Sequence, residues 1–252
     1  MIVLRNDGRT FDQVRPISIT YDLFGYADAS ILFEIGQTKV LVSAMLQSSG
    51  PHFLRGRGTG WLTAEYAMLP SATRTRTFRE SSAQKRSNRS IEISRLIGRS
   101  LRSVVDLDCL GERAITVDCD VLQADGGTRS ACITAASLVL NMAQSRWLQD
   151  GVIKKSFLKS SIAAISVGVV CDQLYLDISQ EEDNRASVDF NFVLTELGDI
   201  VEIQGTSEKS PMSWEDFEQV KKLALSGIEQ LFKVSSRAVK VLQPKKVESI
   251  LF

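Results

Sequence analysis

The chain has 252 residues, 44% hydrophobic and 24% charged, and its 30 basic side chains are balanced by 30 acidic ones. These values indicate a globular protein of one or two domains, and no apolar stretch approaches the roughly 20 residues that a membrane helix needs. One histidine and four cysteines without Cys-x-x-Cys spacing argue against a zinc site, a disulfide framework and a catalytic triad. Because the N-terminus also lacks the basic segment followed by an apolar segment that marks a secretory signal, we expect a cytoplasmic protein.

The N-terminal part of the sequence predicts strands followed by one helix. β-Branched and apolar residues predict strands over 17–21, 30–46 (a hairpin through Gly36 and Gln37) and 60–68. The stretch 50–60 is too rich in glycine for a regular element, so we predict a mobile loop carrying Arg55 and Arg57. Apolar residues at helical spacing predict a helix over 90–105, with Arg89 at its start.

The C-terminal part repeats this alternation. Strands are predicted over 114–123, 160–170, 174–178, 187–195 and 200–205, and helices over 128–147 and from a capping box at Ser213 to about Val234. No linker rich in proline or glycine divides the chain. We therefore predict a mixed α/β (α+β) fold with one domain of two βα halves over residues 1–236, and a C-terminal extension over 237–252.

The stretch most informative about function is 118–130, where a predicted strand passes through two glycines into a predicted helix. Gly126 and Gly127 let the backbone approach a ligand, and the first amides of the following helix lack intrahelical partners. Thr128 adds a hydroxyl, and Arg129 adds a planar fork suited to phosphate oxygens. The sequence thus predicts an anion site, and the alternative is an ordinary turn with a surface arginine.

Charge is segregated along the chain although the net charge is zero. Residues 53–102 contain eleven Lys or Arg and three acidic residues, whereas residues 172–202 contain nine acidic residues and one arginine. The first segment is suited to a polyanion, and the second to proton transfer or a divalent cation. In the alternative interpretation, the two segments pair with each other as solvated faces.

Six motifs are distributed over nearly the whole chain. They are Arg5–Arg9, Val14–Pro16, Gly60–Pro70, Arg89–Arg99, Asp118–Arg129 and Val201–Thr206. In this order they resemble the ribonuclease PH family of phosphorolytic 3′ exoribonucleases, which is related to exosome ring subunits and polynucleotide phosphorylase. The resemblance implies a fold like domain 2 of ribosomal protein S5. The sequence departs from the family at Ser71, where many members carry an arginine; its absence either weakens RNA binding or is offset by the nearby Arg74.

The resemblance also implies roles for individual residues. The phosphate-binding positions of the family fall on Arg89, Gly127, Thr128 and Arg129. Its acidic positions fall on Asp183 and Asp189, as general acid or as ligands of Mg²⁺, and Asp177 nearby is either a third member or structural. RNA contacts fall on Arg55, Arg57, Arg76 and Arg79.

The activity implied by the resemblance is phosphate-dependent removal of nucleotides from the 3′ ends of transfer RNA precursors, with inorganic phosphate as co-substrate. The same resemblance implies a homohexamer built as a trimer of dimers, with no membrane partner. A non-catalytic RNA-binding subunit of an exosome-like ring is the alternative. A nucleotide-binding phosphate loop at Gly126-Gly127 is a weaker one, because the Gly-Lys-Ser/Thr ending is missing.

Overall fold

The computed structural model describes residues 5–82, 86–209 and 211–241, with side chains described up to residue 234. Most of the predicted extension, from residue 242 onwards, lies outside the described residues. Over the described residues, the chain forms two β-sheets and four α-helices.

The first sheet has five strands, in the spatial order β1-β2-β3-β5-β4. The strands are β1 (Ile17–Tyr21), β2 (Ala29–Ile35), β3 (Thr38–Gln47), β4 (Trp61–Met68) and β5 (Ala114–Gln123). Only β4 and β5 are parallel, and the others pair antiparallel. In β5, Val117, Cys119 and Val121 are buried while the residues between them are half-buried, so the alternation of the sequence places one face of the strand in the core.

The second sheet has four antiparallel strands in the order β7-β6-β8-β9. They are β6 (Ile162–Val170), β7 (Gln173–Leu176), β8 (Val188–Thr195) and β9 (Ile200–Ser207). Strand β6 is an almost continuous buried apolar run, because it is an inner strand of its sheet and three of the helices contact it.

The helices are α1 (Asn88–Ser103), α2 (Thr128–Gln149), α3 (Gln180–Asp183) and α4 (Trp214–Val241). Every residue of helix α2 from 130 to 140 is buried, so this part of the helix is covered on all sides, as expected for a central helix. It packs on β2 and β3 of the first sheet and on β6 of the second. Its N-terminus is therefore held where the two halves of the chain meet.

The predicted mixed α/β fold is confirmed, and the predicted strands agree with the observed ones to within a few residues. Three differences matter. The loop at 50–60 contains a 3₁₀ turn with Leu54 buried, α3 was not predicted, and α4 extends beyond Val234. In the part of the chain that the structure describes, no helix combines the length and apolarity needed to cross a membrane.

Candidate active site

A cavity of about 360 Å³ lies where the N-termini of α1 and α2 meet α3 and β8. Its lining includes all the residues predicted to bind phosphate or to catalyse the reaction: Arg89, Gly127, Thr128, Arg129, Asp183 and Asp189. The structure thus brings together groups from four separate elements. Arg55, Arg57, Arg76 and Arg79 do not line the cavity, although Thr77, which follows Arg76, does.

The glycine turn before α2 requires its two glycines. Gly126 and Gly127 have φ angles of +79° and +65°, in the left-handed region that side chains disfavour. A Cβ atom on Gly126 would lie 2.7 Å from the backbone nitrogen of Gln180 and from the carbonyl oxygen of Ile178. Gly126 therefore lets the segment that carries Asp183 pack directly against the turn that carries Arg129.

A buried ion pair between Arg15 and Asp177 stabilises this turn. The Arg15 guanidinium donates from Nε to Asp177 Oδ2 (2.9 Å) and from Nη2 to Asp177 Oδ1 (2.7 Å). Its Nη1 also donates to the carbonyl oxygen of Asp125 (2.6 Å), next to the glycines. Burial would raise the pKa of Asp177, but the facing Arg15 and Arg9 guanidinium groups lower it below its ordinary value. Asp177 is thus structural and does not line the cavity.

A second buried pair anchors α3. Arg5 donates from Nε to Glu182 Oε1 (2.8 Å) and from Nη1 to the carbonyl oxygen of Leu176 (2.6 Å). Ser179 and Glu182 form a capping box at the start of the helix. Because Glu182 is held inward, the adjacent Asp183 is fixed at the rim of the cavity. This pair was not predicted from the sequence, although Arg5 lies in the first of the six motifs.

Neither arginine of the cavity forms a close ion pair with a carboxylate among the described residues. Arg129 Nη1 donates to the neutral Gln204 Oε1 (3.2 Å), and the Arg89 guanidinium has no hydrogen bond or ion pair within the same set of residues. Thr128 Oγ1 lies 3.2 Å from the Tyr66 hydroxyl, whose pKa burial raises to about 12, so the phenol is neutral. Together with the N-terminus of the 22-residue α2, these groups form a positive site suited to an anion.

Two carboxylates face this positive end. Partial desolvation raises the pKa of Asp183 against the opposing charges of Arg129 and Arg89. Desolvation and the neighbouring Asp183 raise the pKa of Asp189, which accepts a hydrogen bond from Asn191 Nδ2 (3.1 Å). Within the described ranges, no group of three or more His, Cys, Asp or Glu side chains is arranged so that it could hold a metal ion. Two carboxylates nevertheless suit Mg²⁺, which retains several waters and needs only one or two protein carboxylates.

Because the pKa of Asp189 is raised, we predict that replacing it by asparagine lowers the activity but increases the stability. We expect Asp189→Asn to lower kcat/KM by about 10²–10⁴-fold. The same variant should unfold at higher denaturant concentration at neutral pH. The folded-state pKa lies above the ordinary 3.8, so ionisation of Asp189 destabilises the fold as the pH rises past that value.

Denaturant titrations from acidic to neutral pH measure this effect. The stability gain of Asp189→Asn should be absent at low pH, where the wild-type carboxyl is protonated in both states, and should grow as the pH rises. Asp150→Asn, at an exposed position after α2, is the control. An Asp189→Asn protein that is less stable than the wild type at neutral pH would contradict the prediction.

Comparison with known proteins places this cavity in context. Residues 13–145 match domain 1 of the 3′ exoribonuclease family, and residues 160–227 match its domain 2. Curated proteins named ribonuclease PH from two strains of Dehalococcoides mccartyi are each 50% identical over 230 residues, which is 91% of this chain and 95% of theirs.

Two solved structures share the fold at low sequence identity. Rrp46 from rice (Oryza sativa) aligns with a TM-score of 0.76 at 20% identity, over 93% of this chain and all of that one. The Archaeoglobus fulgidus exosome with RNA bound to the active site aligns with a TM-score of 0.76 at 21% identity, over 93% of this chain and 92% of that one. At these identities the likeness establishes the fold.

Proposed function

The chain belongs to the 3′ exoribonuclease family, and we propose from this membership and its cavity that it is a phosphate-dependent 3′-to-5′ exoribonuclease. The observation that carries the proposal is the cavity itself. It combines two arginines that form no close ion pair with a carboxylate among the described residues, the N-terminus of α2 and two carboxylates of raised pKa. This arrangement suits an attacking phosphate beside a group that protonates or otherwise neutralises a leaving oxygen.

In the proposed reaction, Arg89, Thr128 and Arg129 orient inorganic phosphate. An oxygen of this phosphate attacks the phosphorus of the last phosphodiester in line, forming a new P–O bond. The bond to the 3′ oxygen of the penultimate nucleotide breaks, and this oxygen takes a proton. Asp183 or Asp189 would donate this proton, and partial desolvation raises the pKa of both carboxyls, which is the direction that favours a general acid. The products are a nucleoside diphosphate and an RNA that is shorter by one nucleotide.

A divalent cation is the second way to neutralise the leaving oxygen. Asp183 and Asp189 would hold Mg²⁺, which supplies positive charge near the scissile phosphodiester when bound. Positioning and charge neutralisation dominate phosphoryl transfer in general, so the arginines would do most of the remaining work.

Because a phosphoanhydride replaces the phosphodiester, the reaction should be reversible. Incubation with ADP and an RNA primer at low phosphate should extend the primer and release inorganic phosphate, which a colorimetric assay detects. Primer extension that is insensitive to added phosphate would argue against the proposed chemistry.

We further propose the 3′ ends of transfer RNA precursors as substrates, with ribosomal RNA processing as a related role. The assembly proposed is a homohexamer, a trimer of dimers, in the cytoplasm. The catalytic domain would span residues 1–236, with 237–252 as an extension. The sequence identity to ribonuclease PH supports these assignments.

A non-catalytic RNA-binding subunit of an exosome-like ring is the second candidate. The structural neighbours, one of which has RNA bound in its active site, favour an RNA-associated assembly of this fold. The six cavity residues of this chain favour catalysis, because a subunit that only binds RNA has no need of two arginines and two partly desolvated carboxylates converging on one site.

A further prediction concerns RNA binding by arginines that lie outside the cavity. The pairs Arg55 with Arg57 and Arg76 with Arg79 lie in exposed loops of the basic segment. If each side chain contacts a phosphate, its replacement by alanine should weaken RNA binding and reduce the slope of log K against log salt by about 0.7 per contact.

Fluorescence anisotropy with a labelled single-stranded RNA at several salt concentrations measures both effects. Lys222→Ala on the exposed side of α4 is the matched control for the loss of one positive charge. An unchanged salt slope in the Arg76→Ala/Arg79→Ala double variant would remove these two residues from the RNA interface.

A further inference from the structure

A line of polar contacts runs away from the cavity behind Arg129. Arg129 Nη1 donates to Gln204 Oε1 (3.2 Å), and Gln204 Nε2 donates to Glu202 Oε1 (3.1 Å). Arg99 on α1 completes the line by donating to both carboxylate oxygens of Glu202, at 2.9 Å from Nε and 2.5 Å from Nη2. Gln204 thus lies between a cation at the cavity and an ion pair at the protein surface.

The chemistry of the two ends determines how the Gln204 amide is oriented. An arginine can only donate hydrogen bonds and an ionised carboxylate can only accept them, so the amide must turn its oxygen to Arg129 and its nitrogen to Glu202. Residues 202 and 204 are two apart on β9 and therefore share one face of the strand. The Arg99 ion pair in turn holds the Glu202 side chain, of which only 16% is exposed.

A neutral amide orients Arg129 without cancelling its charge. A glutamate at position 204 would form an ion pair with the guanidinium and would also face Glu202, a like charge. An apolar side chain of similar length would leave Arg129 without this acceptor. Glutamine is therefore suited to fixing the direction of Arg129 while its full charge remains available to an anion.

We infer that Gln204 is a positioning residue for Arg129, and that Arg99 and Glu202 hold it in the orientation that sets the affinity of the cavity for inorganic phosphate. The inference rests on the proposed function insofar as Arg129 binds the attacking phosphate. It adds a surface ion pair, about half exposed at Arg99, to the groups that determine phosphate binding.

Isothermal titration calorimetry with inorganic phosphate tests the inference on the intact protein without any turnover. We expect Gln204→Glu to raise the Kd for phosphate about tenfold or more, since it adds a competing negative charge, and Gln204→Met to raise it less. Gln219→Glu, which adds the same charge on the exposed side of α4, should bind phosphate as the wild type does. In turnover assays the KM for phosphate should rise with Kd while the KM for RNA stays constant.

A second set of variants changes the surface ion pair, so the inference can still be tested if a variant at position 204 does not fold. Glu202→Gln and Arg99→Gln should each weaken phosphate binding in the wild-type background, and much less in the Gln204→Met background, where no amide remains to be oriented. If the ion pair is merely structural, Glu202→Gln and Arg99→Gln should lower the stability of both backgrounds equally and leave the Kd for phosphate unchanged.

Wild-type Kd values in both Gln204→Glu and Glu202→Gln would overturn the inference. So would a failure of the wild-type protein to bind phosphate at all. If phosphate binds and responds to these variants but no nucleoside diphosphate is ever released, the proposed function fails while the role of Gln204 stands.

Discussion

Arg129→Ala is expected to lower kcat/KM for phosphate-dependent nucleotide release by about 10³-fold, which is typical of removing one preorganised group that neutralises charge in a transition state. Arg129 lies at the N-terminus of α2 in the cavity, and no acidic side chain among the described residues pairs with it. The loss should therefore fall on phosphate binding and on transition-state stabilisation, with little change in the unfolding temperature.

Two further variants sharpen this test. Arg129→Lys keeps the charge but not the fork of donors, so it should recover only part of the activity. Arg95→Ala, at an exposed position on α1, controls for the loss of an arginine as such. Steady-state rates at several phosphate concentrations give the result. Near-wild-type activity in Arg129→Ala would place the phosphate elsewhere.

Asp177→Asn is expected to lower the free energy of unfolding by about 3–5 kcal/mol, because it leaves the buried Arg15 without its compensating charge. Both partners of this pair have only 4% of their side-chain surface exposed. The φ angle of Asp177 is +49°, a conformation that asparagine also tolerates, so the substitution tests charge more than backbone strain. Denaturant titration at neutral pH measures the loss.

The pH dependence of this loss has a defined sign. The pKa of Asp177 is lowered below the ordinary 3.8, so its stabilisation is present above that value and disappears as the pH falls through the folded-state pKa. The difference between wild type and Asp177→Asn should shrink accordingly. Glu218→Gln breaks the exposed pair with Lys221 and should cost less than about 1 kcal/mol. An equally small effect of Asp177→Asn would show that the buried pair is not needed for stability.

The parts of the fold that follow a local pattern could be predicted from the sequence. The bounds of β1 and β5 agree residue for residue with the prediction, because both are alternating runs between turn formers. Apolar periodicity does not predict helix α3, because its four residues include three acidic ones. Its signal was the Ser179-x-x-Glu182 capping box, which is present in the sequence.

The candidate site likewise has parts that could be predicted from the sequence and parts that could not. The glycine turn and Arg129 follow from the chemistry of adjacent residues, and the resemblance supplied Asp183 and Asp189. The buried ion pair that stabilises the glycine turn could not be predicted. Its partners, Arg15 and Asp177, are 162 positions apart, and no local sequence pattern indicates that they pair. The structure also joins the basic and acidic segments through Arg99 and Glu202, so the alternative of paired faces holds at that point.

The proposed mechanism depends above all on inorganic phosphate, not water, attacking the RNA in this cavity. The decisive experiment is incubation of the protein with a 3′-tailed transfer RNA and Mg²⁺, with and without phosphate, followed by separation of the released nucleotides. We predict nucleoside diphosphates that appear only with phosphate and are lost in Arg129→Ala. Nucleoside monophosphates released regardless of phosphate would mean hydrolysis and contradict the mechanism.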